Sequence, residues 1–176
     1  DGDTVSQDID LGAQISFLDD GPSISLADVS TPALSVDETV LGTNDTKDFS
    51  GVFATAFGAD GGGEVTYAVS INGGDGTDSG LVDSLTGQPV TLSMNGANIE
   101  GKNTDGDVVF VISVAADGNV TLDQQRAVMH DSADAGGDIS EPASIDADLV
   151  VLTATVSDAD GDTVSQDIDL GAQISF

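Results

Sequence analysis

The first seventeen residues of the chain recur unchanged at its other end. Residues 1–17 read DGDTVSQDIDLGAQISF, and residues 160–176 repeat them letter for letter at an offset of 159. Chance does not produce such a match, and ordinary divergence would have blurred it. The duplication therefore indicates a window, about one unit wide, from a tandem array of nearly identical modules. We expect residues 1–17 to be the C-terminal strand of the preceding module, residues 18–22 a linker, and residues 23–176 one module.

The charge balance restricts the partners of the chain. Its 176 residues carry 32 Asp and Glu against 3 Lys and Arg, a net charge of −29. Nucleic acid and anionic membrane surfaces both require cationic side chains, so neither is an expected partner. The run of apolar residues needed to insert into a bilayer is missing as well. Self-repulsion of this size opposes compaction. Divalent cations are the obvious partners to neutralise this charge. No cysteine is present, so no disulfide stabilises the fold.

Apolar residues make up 39% of the chain and recur with a period of two, which is typical of a folded module and not of a disordered segment. Residues 163–176 alternate in this way, with a bend expected at Gly171, and Asn95-Gly96 and Asp117-Gly118 are hairpin turn signals. Residues 123–130 are the only plausible helical turn. The pattern predicts an all-β fold, an immunoglobulin-like β-sandwich with at most one short helical turn, and a monomeric module.

The alternation also places the elements. Strands are expected at 23–29, 33–40, 64–71, 90–94, 97–100, 107–115, 119–122, 149–156 and 163–176. Polar loops are expected at 42–48, 58–63, 72–80 and 131–148. The apolar segment 49–57 is expected to supply the core residues Phe49, Val52, Phe53 and Phe57.

The best candidate for a metal site is the sequence DADGD at 158–162. Asp158, Asp160 and Asp162 alternate around a glycine, as in the opening of a helix–loop–helix calcium loop, although the closing glutamate and the flanking helices are missing. Three carboxylates are more than a turn needs, which favours a hard cation, but the alternative is that Asp-Gly simply makes a hairpin turn. Asp1 and Asp3 are the counterparts of Asp160 and Asp162 in the first copy and are candidates for the same reason.

Two further acidic pairs are candidate ligands. Asp19-Asp20 precedes Gly21-Pro22 at the module junction, where carboxylates from the end of one module and the start of the next would share an ion; the alternative is a solvated linker. Asp37-Glu38 is either a third contributor or a solvated turn. Weaker candidates, read mainly as solvated, are Asp105 with Asp107, Asp131 with Asp134 and Asp138, and Asp146 with Asp148.

The inventory for catalysis is poor, and we expect no enzyme. There is no cysteine, no glycine-rich phosphate loop followed by lysine, and one histidine, His130, with no triad partners by motif. His130 is read as a packing or capping residue. A pair of carboxylates can cleave glycosides, but among 32 acidic residues some pairs are always close together, so such a pair does not indicate a glycosidase.

The chain resembles the extender repeats of giant repeats-in-toxin adhesins, which Gram-negative bacteria export by type I secretion. The matching stretches are SVDET (35–39), SGLVDSLTGQPVTL (79–92), DGDVVFVISVAADGNVTLDQQRAVMH (105–130) and, read across the junction, ATVSDADGDTVSQDIDLGAQISFLDDGP. The resemblance implies sandwich modules in long chains on the cell surface, calcium near the junctions, and a mechanical role in attachment and biofilm formation. By position it implies calcium ligands at Asp19, Asp20, Asp158, Asp160 and Asp162.

The functional expectation is a calcium-stabilised spacer that projects the ligand-binding domains of an extracellular adhesin, with adjacent identical modules as its neighbours. The alternative is a module that binds a glycan or a peptide through the loops at 72–80 and 131–148. A secreted hydrolase and simple adaptation to salt are the remaining readings. Salt adaptation predicts carboxylates spread over strand faces, whereas many here cluster at turns and at the junction.

Overall fold

The computed structural model describes residues 1–59, 61–130 and 142–176. The fold is all-β, as predicted, and its thirteen described strands form a sandwich. They are β1 (Ser23–Leu26), β2 (Leu34–Ser35), β3 (Asp45–Asp48), β4 (Phe53–Ala56), β5 (Glu64–Ile71), β6 (Thr77–Val82), β7 (Pro89–Asn95), β8 (Asn98–Lys102), β9 (Val108–Val114), β10 (Asn119–Gln124), β11 (Val150–Ser157), β12 (Thr163–Asp169) and β13 (Ile174–Ser175).

One layer is a six-stranded antiparallel sheet in the order β3-β10-β9-β8-β7-β6. Both predicted hairpins are in it, β7–β8 and β9–β10. The first turn lies one residue later than predicted, because Asn95 pairs with Asn98 and leaves Gly96-Ala97 between them. Gly96 has a φ of +63°, a conformation that glycine adopts without steric cost.

The facing layer is the three-stranded antiparallel sheet β12-β11-β5, flanked by the short pairs β1–β4 and β2–β13. One hydrophobic core joins the layers. Leu92, Ile99 and Phe110 enter it from the larger sheet, and Val69 and Leu152 from the smaller. Phe49, Val52 and Phe53 are buried as predicted, whereas Phe57 is half-buried.

The helical turn predicted at residues 123–130 is wrong. Residues 123–124 end β10, and the segment then pairs with the end of β6: the N–H of Ser84 donates to the carbonyl of Ala127, and that of Met129 to Val82. This nonlocal pairing overrides the local helical preference. Among the described residues the helical elements are four three-residue 3-10 turns, at Gly12–Gln14, Glu38–Val40, Ser50–Val52 and Gly171–Gln173. No helix in the described part of the chain is long and apolar enough to cross a membrane.

Two strands fall in segments predicted to be polar loops. β3 lies within 42–48 and β6 begins within 72–80. Both are edge strands of the larger sheet, and β3 reads DTKD, with no apolar residue to mark it. Edge strands carry charged side chains without penalty, so hydrophobic alternation does not reveal them.

The two copies of the duplicated sequence adopt different structures. We call residues 1–17 the leading copy and residues 160–176 the trailing copy. The trailing copy forms β12, the 3-10 turn that begins at the predicted bend Gly171, and β13. The leading copy is exposed and forms only the equivalent turn, Gly12–Gln14. A strand needs a partner, and β11, which pairs with β12, is occupied.

Candidate metal site

The linker at residues 18–22 is held against the turn that follows β4. Asp20 Oδ2 accepts a hydrogen bond from the N–H of Ala59 at 3.1 Å. Gly58 has a φ of +77°, and a Cβ at this position would overlap the carbonyl oxygen of Asp20. Only glycine allows the two backbones to approach this closely. The local fold therefore fixes the position of the linker and, with it, the position of Asp19.

The β11–β12 turn is built around the carboxylate of Asp158. Its Oδ1 accepts hydrogen bonds from the N–H groups of Gly161 at 3.1 Å and Asp162 at 2.9 Å. Gly161 has a φ of +103°. The segment DADGD thus forms the hairpin turn that was the alternative prediction, with Asp158 Oδ1 as the acceptor and Gly161 at the positive φ. The turn also fixes the backbone of Asp162, whose N–H donates to Asp158 Oδ1 and whose carbonyl accepts from the N–H of Asp158.

Asp19, Asp160 and Asp162 form what we call the acidic cluster. One carboxylate oxygen from each lies within 4.8 Å of the others, and all three residues are exposed. It is the one group of three or more possible metal ligands among residues 1–59, 61–130 and 142–176. Neighbouring Asp158 is only 7% exposed, and its buried Oδ2 accepts no hydrogen bond from the described residues.

The carboxyls of Asp158 and Asp160 interact, and the interaction moves their pKa values in opposite directions. The Asp158 carboxyl raises the pKa of Asp160, and partial desolvation and the negative charge of Asp19 raise it further. The Asp160 carboxyl and the backbone N–H groups of the turn lower the pKa of Asp158. A proton or a bound cation would reduce the repulsion between these carboxylates.

This donor set suits a hard divalent cation. Ca²⁺ takes six to eight oxygen ligands, from carboxylates, carbonyls and water, in a flexible geometry. Asp19, Asp160 and Asp162 would hold the ion, and the buried Asp158 Oδ2 is an oxygen that lacks a donor. Thiol and imidazole ligands are absent from the cluster, which disfavours the softer transition metals. A bound ion would supply positive charge and cross-link the linker to the β11–β12 turn.

The cluster is assembled within one chain. The sequence predicted an ion shared between the end of one module and the start of the next. The structure brings Asp19 of the linker to the β11–β12 turn that follows it in the same chain, and the sharing of an ion between modules stays a prediction. Asp19 is two residues after Phe17, so the cluster lies directly beside the end of the leading copy.

The other predicted ligands lie elsewhere. Asp1 and Asp3 do not join the cluster. Asp37 accepts a hydrogen bond from the N–H of Thr39 and caps the 3-10 turn that follows. Glu38 Oε1 is 2.7 Å from His130 Nε2 and also accepts from the N–H of Val128. Asp37 and Glu38 therefore have local structural contacts, and His130 anchors the segment after β10.

Several of the weaker candidates also have structural partners. Asp105 bonds the side chain of Gln88, and Asp107 Oδ2 lies 3.2 Å from Arg126. Asp148 donates its N–H to Asp169, and Asp146 lies against Gly80. Asp131, Asp134 and Asp138 lie outside the described residues. So does most of the binding loop predicted at 131–148, and the loop predicted at 72–80 is partly β6.

Sequence reasoning missed Asp83, the most highly connected carboxylate of the described core. Its side chain is fully buried and accepts hydrogen bonds from Arg126, Asn103 and Thr86. Burial raises the pKa of Asp83, but these hydrogen bonds more than offset it and hold the pKa well below its usual range. Its partners are up to 43 residues away in sequence, and no local motif marks such a network.

By its fold the chain is an all-β sandwich module, and by its acidic cluster it is a candidate cation binder. A family model described as "Domain of unknown function (DUF5801)" matches residues 33–171, and the chain belongs to that family. The matched region includes Asp158, Asp160 and Asp162 but begins after Asp19. No curated protein matches the chain, and no solved structure matches it.

Proposed function

We propose that this module is a calcium-stabilised spacer in a chain of similar modules, of the kind found in long secreted bacterial adhesins on the cell surface. The observation that carries the proposal is the acidic cluster with the buried, unpartnered Asp158 Oδ2 beside it. The cluster joins the linker to the module two residues after the leading copy ends. A cation there limits the movement of the linker relative to the sandwich. The role is mechanical, with no catalytic step.

The adhesin context rests on the resemblance of the sequence to extender repeats and on the tandem duplication. The duplication favours a spacer role, because near-identical modules lengthen the protein without adding a new binding surface. The net charge of −29 favours surroundings rich in divalent cations, because it opposes folding until neutralised. Export from calcium-poor cytosol to calcium-rich surroundings would then switch the chain from slack to stiff.

Thermal unfolding with calcium and with EDTA tests the proposal. Extracellular calcium modules bind with dissociation constants of roughly 10⁻⁴ to 10⁻³ M. A hundredfold excess over the dissociation constant stabilises the folded state by about 2.7 kcal/mol for each site. For a domain of this size, that raises the Tm by roughly 5–10 °C. An unchanged Tm would refute the proposal.

The duplication supplies a matched control for generic charge screening. Asp160→Asn with Asp162→Asn removes two carboxylates of the cluster, whereas Asp1→Asn with Asp3→Asn removes the same residues from the leading copy. Both variants have the same net charge. We expect calorimetric calcium binding and the Tm increase to be lost in the first variant and kept in the second. Equal effects in both would assign the stabilisation to screening.

The spacer role has a separate readout. Small-angle X-ray scattering from a chain of two or more consecutive modules should show a greater maximum dimension and a narrower distribution of shapes in calcium than in EDTA. Asp160→Asn with Asp162→Asn in every module should remove the difference. Superimposable profiles with and without calcium, from modules that bind the ion, would reject the mechanical role but leave the metal site intact.

A further inference from the structure

The β8–β9 turn, residues 103–107, is built like the β11–β12 turn, residues 158–162. Their sequences are NTDGD and DADGD. In each turn the N–H of the first residue donates to the carbonyl of the fifth at 3.1 Å. The N–H of the fifth residue donates in return to Oδ1 of the first at 2.9 Å. The fourth residue has a positive φ, +90° at Gly106 and +103° at Gly161. Two hairpins of the sandwich therefore share one turn design.

Three carboxylates belong to each turn, and they come from equivalent places. The third and fifth residues of the turn supply two of them, and a residue far away in sequence supplies the other. Asp83 is the distant residue at the β8–β9 turn, where it accepts a hydrogen bond from Asn103 Nδ2 at 2.9 Å. Asp19 is the distant residue at the β11–β12 turn. The two sets are Asp83, Asp105 and Asp107, and Asp19, Asp160 and Asp162.

At the β8–β9 turn the chain itself supplies a cation. Arg126 Nη2 is 2.9 Å from Asp83 Oδ2, and Arg126 Nη1 is 3.2 Å from Asp107 Oδ2. The guanidinium thus bridges the distant carboxylate and the fifth residue of the turn. The hydrogen bond to Asp83 raises the pKa of Arg126, and the negative charges of Asp83, Asp107 and Asp105 raise it further, against an opposing effect of desolvation. Arg126 therefore interacts with all three carboxylates of this set.

The first residue of each turn differs in a way that matches the source of the cation. Asn103 and Asp158 are both buried, at 3% and 7% exposed. Asn103 Nδ2 donates to Asp83 at 2.9 Å and to Asp107 at 3.4 Å, so it supports the carboxylates that Arg126 neutralises. Asp158 has an oxygen in place of that nitrogen, and its Oδ2 accepts no hydrogen bond from the described residues. An amide N–H cannot ligate a metal ion, whereas a carboxylate oxygen can.

We propose that Arg126 is the resident cation of the β8–β9 turn, in the place that a divalent metal ion takes at the β11–β12 turn. The inference deepens the spacer function and rests on it for the role of the β11–β12 turn. Arg126 determines which of two similar turns binds the metal. One turn carries its cation at all times, and the other receives it from solution. Calcium therefore acts on the linker and the β11–β12 turn, while the end of the larger sheet at β8 and β9 does not depend on it.

Removal of Arg126 should convert the β8–β9 turn into a calcium site. The test uses a background chain with Asp160→Asn and Asp162→Asn, which lacks the carboxylates of the other site, so the result does not depend on whether that site binds calcium. Arg126→Ala in this background should lower the Tm in EDTA. Calcium should then raise the Tm by roughly 5–10 °C, with one ion bound per chain by calorimetry. A calcium response no larger than that of the background chain would overturn the proposal.

Three controls in the same background separate a site from general charge screening. Lys47→Ala changes the net charge as Arg126→Ala does, but it acts on the exposed ion pair with Asp45. Arg126→Lys keeps a positive charge at the turn. Arg126→Ala combined with Asp105→Asn and Asp107→Asn removes the ligands. None of these chains should respond to calcium more than the background chain does. Equal responses in the Arg126→Ala and Lys47→Ala chains would assign the effect to screening and reject the proposal.

The unsubstituted chain gives a second measurement, which does not require Arg126→Ala to fold. Arg126 is the one arginine of the chain, so its Nε–H group gives a single NMR signal that is identified at once. Arg126 Nε donates to Asp83 Oδ2 at 3.2 Å. The signal should keep its chemical shift and its slow hydrogen exchange as calcium is raised to about ten times a dissociation constant of roughly 10⁻³ M. Faster exchange in calcium would mean that the ion displaces the guanidinium, which would overturn the proposal.

Discussion

The ring of Phe176, the last residue of the trailing copy, packs on Phe110 of β9 with the ring centroids 5.1 Å apart and a tilt of 51°. The same residue in the leading copy, Phe17, is 95% exposed. Phe176→Ala should therefore lower the free energy of unfolding by about 3 kcal/mol through lost burial and a cavity. Phe17→Ala should change it by less than about 0.5 kcal/mol. Urea denaturation of the two variants measures both values, and equal losses would contradict the assigned packing.

Gly101 on β8 lies directly opposite Phe110 and leaves room for its ring. A Cβ at Gly101 would overlap the ring of Phe110. Gly101→Ala should destabilise the module by about 1–3 kcal/mol through overpacking. Gly51→Ala, where a Cβ meets open space, is the control and should have little effect. A Tm for Gly101→Ala equal to that of the wild type would show that the ring of Phe110 moves to accommodate the methyl group.

The buried Asp83 network should dominate the acid sensitivity of the fold. Asp83→Asn removes the buried carboxylate of the network, leaves Arg126 with the more exposed Asp107 as its charged partner, and should cost about 3 kcal/mol at pH 7. The exposed control Asp8→Asn should leave stability at pH 7 unchanged. Denaturant titrations of the wild type and both variants give these differences.

The pH dependence of this difference has a defined sign. The pKa of Asp83 is lower in the folded state than in the unfolded state, where it is about 3.9. The stabilisation is thus complete above about pH 4 and is lost as the pH falls towards the folded-state pKa. The gap between the wild type and Asp83→Asn should narrow when titrations are repeated from pH 5 to pH 2.5. A gap that stays constant or widens on acidification would contradict the network.

Gly58 should couple the linker to the proposed metal site. Gly58→Ala strains a positive φ and drives a methyl group into the carbonyl of Asp20, which displaces the linker and Asp19. We expect weaker calcium binding by calorimetry, by about tenfold. Gly61→Ala has the same kind of strained φ but meets open space, so it controls for backbone strain. If both variants bind calcium equally, Asp19 is not part of the site.

The features predicted best from the sequence are those that depend on local chemistry. The hairpin at Asp117-Gly118, strand β5 at its predicted bounds and the bend at Gly171 were all predicted and are confirmed. The duplicated sequence shows the limit of such reasoning, since the turn at Gly12–Gln14 forms without a partner but the strand before it does not. The strand forms only where β11 is available to pair with it, and the sequence of the segment does not reveal whether such a partner is nearby.

The candidate site shows the same division. The acidic turn at 158–162 was identified from its spacing, and the role of Asp158 in the hairpin follows from local geometry. The contact between Asp19 and residues about 140 positions later depends on Gly58 and the path of the linker. The sequence therefore indicated which carboxylates are candidates but not that Asp19 lies beside Asp160 and Asp162 of the same chain.

The parallel pairing of β2 and β13 determines how the module resists a pull along the chain. Tension that passes β1 and reaches β2 from its N-terminal side, while Phe176 is drawn the other way, pulls these two parallel strands past each other along their length. The hydrogen bonds between them, including that from Val36 to Ser175, are then loaded in shear and must yield together. Antiparallel terminal strands pulled from one end would instead unzip bond by bond at lower force.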